Sequence, residues 1–549
     1  MSDMKREFKD LIRFEPYDYL NSEITGDYDK AHAVKCVNGT FVGTEENGVA
    51  SWLGIPFAKP PVGERRFKAP EYVDESDRIF EARYYGKRSY GQSEGGDYVQ
   101  NQAAEDCLYL NIWVNEDDKT AKKPVMVWIH GGAYVDGSGS QACYSGANLV
   151  QAQSDIIMVN INYRLSMYGF MDFSSVPGGE SFGTAPCNGL LDQAMALRWV
   201  HENIAAFGGD PGNVTIFGQS AGGGSVSILP VMKEANQYFQ KVIAQSGSTT
   251  LAFPVDCESA QGKTKALLEY TGCKTMDDIM ALSEEKLQEA YVQAVSRYTS
   301  CPYYGTEVLP EAPIELYKKG LAKHISIMAG STADEARLFM GQGPEMNIEE
   351  QKKFARRAVG DAVPYLKEED KKYYEEFYRV CRFQEPGLAE TEFINELMFR
   401  VPMLNQLDVQ SAFNKTFCYY WSYPASFADM GAPHSVEIIF VFNDRGAGTN
   451  STFNGTNIAD EIFKFVQQTW TNFARCGNPS TDKIDWKPYS VDDQNVLVIA
   501  GPDDMHIEQG LLTDQYKAVL PLVNYYQFMD KYFTPHYLFD IVAEREQKS

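Results

Sequence analysis

The stretch NVTIFGQSAGGGSVSIL, residues 213–229, decides the fold. Asn213 to Phe217 is a short apolar run rich in β-branched and aromatic residues, the signature of a buried parallel strand. Gly218-Gln219-Ser220-Ala221-Gly222 then fits G-x-S-x-G, and Ser225 to Leu229 reads as a helix opening. Strand, tight turn and helix in that order put a serine hydroxyl at the apex of a strained turn, facing the first N–H groups of the helix. Small residues must flank such a serine because the strand and helix backbones approach closely.

Two further matches test this reading. Gly91-Gln92-Ser93-Glu94-Gly95 stands in a polar stretch without periodicity, and Gly179-Glu180-Ser181-Phe182-Gly183 follows Val176-Pro177-Gly178, which interrupts regular structure. Chance supplies the pattern only about 0.2 times in a chain of this length, so context has to choose. It selects Ser220 as the candidate nucleophile and reads Ser93 and Ser181 as loop serines.

Outward from Ser220, short apolar strands alternate with helical stretches. Strands are expected at 125–129, 156–161, 213–217, 324–329, 417–421 and 496–499, with helices at 190–204 and 462–474. This alternation predicts an α/β fold with a doubly wound, mostly parallel sheet, and such sheets carry their sites beyond the carboxyl ends of the strands. Residues 255–300 and 345–400 are charged, helical in pattern and free of strand signals; they read as insertions roofing the sheet. With no repeat or linker to divide the chain, the expected organisation is an N-terminal extension, 1–30, and a single catalytic domain, 31–549.

A serine hydroxyl is a weak nucleophile until a base, oriented by an acid, takes its proton. Seven histidines are present. His130 opens His130-Gly131-Gly132-Ala133-Tyr134 directly after the strand ending at Ile129. Consecutive glycines there let backbone N–H groups approach a developing oxyanion, and the N–H of Ala221 adds a donor. His434 lies in Gly431-Ala432-Pro433-His434, a loop beyond the strand at 417–421, where this architecture places a base. His201 and His324 fall within predicted regular elements and read as structural. Ala333-Asp334-Glu335 follows the strand at 324–329, giving the order serine, acid, histidine. The residues themselves leave Asp334 and Glu335 as alternatives.

Composition excludes other classes. The 549-residue chain carries a net charge of −25, which argues against nucleic-acid binding, since phosphate neutralisation needs clustered Lys and Arg. Such acidity serves solubility or steers cations. No stretch reaches the roughly 20 apolar residues of a membrane span, and the charged N-terminal residues lack the apolar core of a secretory signal. A soluble, cytoplasmic protein is expected unless a signal was removed. The ten cysteines include no C-x-x-C pair, so no metal site is expected, most thiols should be buried, and no cofactor is implied.

Together these motifs resemble the type-B carboxylesterase and cholinesterase family of α/β-hydrolases. The resemblance extends to Trp52-Leu53-Gly54-Ile55-Pro56, Glu105-Asp106-Cys107-Leu108, Asn162-Tyr163-Arg164, Gly189-Leu190-Leu191-Asp192-Gln193 and Gln245-Ser246-Gly247-Ser248. It implies the α/β-hydrolase fold and a serine esterase acting on a small-molecule ester, with Ser220 as nucleophile, His434 as base and Glu335 as the orienting acid. Gly131, Gly132 and Ala221 are the implied oxyanion donors. The departures are informative. Gln219 stands where the family usually has glutamate, removing a negative charge beside the serine, and Ala336 replaces the glycine usual after the acid. Ser89 stands near the position from which secreted animal members bridge to the cysteine matching Cys107, and no cysteine lies near Ala281 to meet Cys273, so both family disulfides are expected to be absent. No tryptophan occurs between Ser89 and Cys107, which argues against choline esters. Rival readings on the same fold are a non-enzymatic binding module, a lipase and an amidase; oligomeric state is not encoded in any motif.

Overall fold

The computed structural model describes residues 20–91, 102–118, 122–339, 348–425, 430–445, 460–525 and 530. Ser93 and His536 lie outside these residues. Among the described residues one sheet holds eleven strands. In chain order they are β1 (Thr44–Glu46), β2 (Val49–Pro56), β3 (Tyr109–Asn115), β4 (Lys123–Ile129), β5 (Ile157–Ile161), β6 (Gly209–Gln219), β7 (Lys241–Gln245), β8 (Ser326–Thr332), β9 (Thr416–Trp421), β10 (Asn495–Gly501) and β11 (Asp504–Gln509). Their spatial order is β11-β10-β9-β8-β7-β6-β4-β5-β3-β2-β1. The run from β10 to β5 is parallel throughout; the two flanks, β11 and β3-β2-β1, are antiparallel.

Burial follows from this layering. Val125 to Ile129 and Ile157 to Val159 have no exposed surface, as strands covered on both faces must be. The outermost β11 instead alternates exposed and half-buried residues. The faces are covered by helices including α1 (Asn188–Asn203), α2 (Ala221–Ile228) and α3 (Asp460–Cys476). The second and third correct or extend sequence expectations only at their ends. The first is buried on more than one face, and within it the fully buried Asp192 holds Arg164 at 2.7 Å.

Two strands depart from the sequence reading. The strand expected at 324–329 begins at Ser326 and runs to Thr332, leaving His324 exposed before it with its Nε2 against Asn236 O. β7 carries no sequence expectation at all, yet pairs between β6 and β8 at the centre of the sheet. Its sequence, KVIAQ, has only three apolar residues between polar ends, too short a run for the periodicity signal.

The stretch 255–300 forms helices at Glu258–Thr271, Met276–Met280 and Glu284–Ala290, and 345–400 forms Ile348–Ala362, Lys371–Val380 and Leu388–Asn395. At the other end of the chain, Asn21 donates to the carbonyls of Leu53 and Tyr84. All ten cysteines are free, seven of them buried; Cys107 and Ser89 line one small cavity. Among the described residues no helix is long and apolar enough to cross a membrane.

Candidate active site

The parallel register aligns Gln219, Gln245, Gly330 and Tyr419 across β6 to β9. The loops that leave these strands therefore open on one edge of the sheet. Ser220 follows Gln219 at once, with φ 59° and ψ −125°, a left-handed conformation that a side chain adopts only when its surroundings enforce it. The enforcement is visible. Ser220 N–H donates to Gln245 O at 2.8 Å, and Gly224 N–H donates to Ser220 O at 2.9 Å. A Cβ on Gly222 would stand 2.0 Å from Ile129 O, and one on Gly247 would stand 2.4 Å from Ser220 O. Ser181, by contrast, is exposed on a short turn, Gly179–Phe182.

The loop after β4 runs beside this turn. A Cβ on Gly131 would come within 3.0 Å of the Ser220 Cβ. Gly132, Ala133 and Tyr134 all have positive φ, at 108°, 53° and 59°. Among the described residues the N–H groups of Gly131, Gly132, Ala133 and Ala221 meet no protein acceptor. For Ala221, the first residue of α2, this is the ordinary state of a helix N-terminus. Ala133, exposed at the same loop, is a donor that the sequence reading passed over, although a small residue after two glycines was its signal. His130 is the scaffold of the loop. Its ring stacks on Tyr163 at 4.5 Å, its Nδ1 lies 2.8 Å from Gly131 O, and Tyr163 OH donates to its carbonyl at 2.9 Å. Burial pushes its imidazole down to about 4, so it is neutral.

Past β8, Glu335 opens a short turn, Glu335–Leu338. Its Oε1 accepts from Thr332 N–H at 2.7 Å, and its Oε2 lies 2.5 Å from His434 Nδ1. Both side chains are almost wholly buried. Asp334 does something else. Its carboxylate accepts from Ala432 N–H at 2.9 Å and faces Arg337 at 3.1 Å, while its own N–H donates to Ala432 O at 2.9 Å. It thereby staples the acid-bearing turn to the histidine loop without touching the imidazole, and burial raises its carboxyl above the usual range. Ala336 N–H donates to Asn395 Oδ1 at 2.7 Å, tying the turn to the second helical insertion; its φ is not positive, so nothing there demands glycine.

The imidazole of His434 packs against a stacked pair of rings, Phe339 and Phe399, at 5.1 and 4.9 Å. Its Nε2 lies 2.9 Å from the side-chain amide nitrogen of Gln219. Two contacts behind it were missed by sequence reasoning. Glu437, fully buried, accepts from Gln245 Nε2 at 3.0 Å, and Gln245 Oε1 accepts from Trp470 Nε1 at 3.1 Å. Burial pushes the Glu437 carboxyl up to about 7. Neither contact carries a local sequence signal, because each joins segments about 200 residues apart. The assembly offers a hydroxyl on a strained turn, unpaired N–H donors beside it, and a carboxylate-bound imidazole: the parts of an acyl-transfer site.

These features define an α/β-hydrolase, and comparison with known proteins agrees. Residues 30–519 match the Carboxylesterase family. The chain is 34% identical over 477 residues to the para-nitrobenzyl esterase of Bacillus subtilis (strain 168), covering 84% of this chain and 93% of that protein. It is 30% identical over 495 residues to the acetylcholinesterase of Bungarus fasciatus, covering 83% and 80%. A carboxylesterase structure from Geobacillus stearothermophilus superposes with a TM-score of 0.77 at 32% identity, covering 89% of this chain and 99% of that one. The protein belongs to the carboxylesterase family, and it is a carboxylic ester hydrolase.

Proposed function

We propose that the protein hydrolyses small-molecule carboxylic esters through an acyl-enzyme on Ser220. His434 Nε2 takes the Ser220 proton as Oγ attacks the ester carbonyl carbon. The tetrahedral oxyanion is met by the N–H groups of Gly131, Gly132 and Ala221, with Ala133 as a further donor. Collapse breaks the ester C–O bond, and the departing alcohol takes the proton from His434. Water then repeats the sequence on the acyl-enzyme and releases the acid. Glu335 accepts from Nδ1–H and stabilises the transient imidazolium. The catalytic unit in this reading spans 31–549, supported by the family match to 30–519.

The observation that carries the reading is the 2.5 Å contact between Glu335 Oε2 and His434 Nδ1, made by residues 99 positions apart at the strand edge that presents Ser220. A binding module has no need of it. The test is hydrolysis of short-chain p-nitrophenyl esters together with labelling by a serine-directed phosphonate. Wild type should turn over the esters and carry one phosphonate on the peptide containing Ser220. Ser220→Ala should lose about five orders of magnitude in kcat and all labelling, with Ser181→Ala and Ser93→Ala near wild type. Retained activity in Ser220→Ala, or a label elsewhere, overturns the assignment.

A further inference from the structure

Gln219 ends β6, immediately before Ser220, and its side chain is buried. Its amide nitrogen is 2.9 Å from His434 Nε2. Glu335 fixes what that contact means. A carboxylate can only accept, so in the neutral imidazole the proton sits on Nδ1, facing Glu335, and Nε2 presents its lone pair. The Gln219 N–H donates into that lone pair. Among the described residues no hydrogen bond joins Ser220 Oγ to His434. Catalysis, however, requires the same lone pair to receive the Ser220 proton.

We propose that Gln219 is a positioning residue that keeps the base in reserve, its amide occupying His434 Nε2 in the resting enzyme and yielding it to Ser220 when the ester is bound. The proposal rests on the serine-esterase reading above and deepens it. A neutral imidazole has one lone pair in its ring plane at Nε2, so the amide and the serine hydroxyl compete for it directly. Glutamate, the residue usual in the family, cannot play this part: a carboxylate has no hydrogen to donate and would favour an N–H at Nε2 instead. The titratable groups around the imidazole are Glu335 from the turn after β8, Glu437 ahead of the helix Ile438–Phe442, and the Tyr419 hydroxyl of β9 near both carboxylates, while Asp334 meets Ala432 rather than the ring. The rings of Phe339 and Phe399 are uncharged. All of these stay in place when only residue 219 is changed.

Two variants separate the roles. Gln219→Met keeps the length and shape of the side chain and removes the donor; Gln219→Glu replaces the donor by a charged acceptor. In Gln219→Met, phosphonate inactivation and ester acylation at pH 8 should be about three- to tenfold faster than in wild type, the factor set by loss of one neutral competing hydrogen bond. In Gln219→Glu, the acidic limb of kcat/KM should move upward by about one pH unit. The sign follows because the carboxylate stabilises the imidazolium, while the base works only when neutral, leaving less active base at mildly acidic pH. Since the contact is buried, the shift should persist in high salt.

Unchanged or slower acylation in Gln219→Met overturns the proposal, as does coincidence of the acidic limbs of wild type and Gln219→Glu at low salt. If the buried glutamate prevents folding, judged by near-ultraviolet circular dichroism, the Met variant alone decides. Failure of wild type to label at Ser220 would instead sink the esterase reading, whereas labelling at Ser220 with both variants matching wild type removes only the role of Gln219.

Discussion

Ser220 is held by backbone packed within a few residues of it in sequence and on the two neighbouring strands, whereas Glu335 and His434 are held by side chains drawn from distant segments. Around the serine, hypothetical Cβ atoms on Gly218, Gly222, Gly223 and Gly247 would all meet backbone atoms closer than 3.0 Å. Around the histidine the contacts are the Glu335 carboxylate, the Gln219 amide and the Phe339 and Phe399 rings. One half of the site is shaped by the absence of side chains and the other by their assembly. The first tolerates almost no added atom; the second tolerates change according to whether a given side chain meets the imidazole.

That distinction makes its largest prediction at the two adjacent acids. Glu335→Gln should lower kcat about 10³- to 10⁴-fold, because the amide no longer fixes the imidazole tautomer or compensates its charge. Asp334→Asn retains an acceptor for Ala432 N–H and should cost no more than about tenfold. Steady-state kinetics on a short-chain ester measures both, and equal losses would break the claim that only one acid acts on the base.

The same distinction explains what the sequence made legible. The turn at Ser220, the glycines beside it, the loop after Ile129 and the alternation of strands with helices were readable, because backbone sterics and hydrophobic patterning act over contiguous residues. The choice between Asp334 and Glu335 was not: both stand at the same strand end, and what separates them is that Ala432 meets one while His434 meets the other. Glu437 and the reach of Gln219 to the imidazole were invisible for the same reason. β7 escaped because its polar ends, Lys241 and Gln245, are buried at the centre of a sheet, where tertiary packing overrides the local pattern. The residues that carry the family resemblance brought Glu335 forward; local physics alone did not.

On the serine side the next effect is on stability. Gly222→Ala would place a methyl 2.0 Å from Ile129 O, a clash of backbone neighbours that cannot rotate away. It should destabilise the fold by about 4 kcal/mol, among the larger single-site losses, read from denaturant unfolding. A loss within about 0.5 kcal/mol would show that the turn is less crowded than its geometry implies.

A slightly smaller effect tests the scaffold of the loop after β4. His130 is buried and its imidazole is pushed down to about 4 from the ordinary 6.5. The unfolded chain therefore binds more protons than the folded one between these values, and stability falls as pH drops from about 6.5 to about 4. The contribution is about 3 kcal/mol at its limit. In His130→Asn the protein should be less stable at pH 7, yet lose about 3 kcal/mol less than wild type on going to pH 4. Parallel stability curves for the two proteins would mean that His130 takes up its proton without unfolding.

The smallest effect comes from a glycine outside both halves. Gly360 lies in the helix Ile348–Ala362, exposed, without positive φ, and a Cβ placed on it meets nothing within 4 Å. Here glycine has no geometric task. It only adds backbone freedom to the unfolded chain and weakens a helix interior. Gly360→Ala should therefore stabilise the protein by about 0.5 kcal/mol, less than the full helix-propensity difference because the position is close to the helix end. Ester turnover should be unchanged, since residue 360 touches neither the imidazole nor the serine turn. Denaturant midpoints for Gly222→Ala and Gly360→Ala, measured side by side with kcat/KM, put the comparison at its sharpest: the same added methyl should lower stability in one place and raise it in the other. If Gly360→Ala instead destabilises as Gly222→Ala does, crowding is not what sets the serine turn apart, and intolerance of added atoms would extend into the helical insertion.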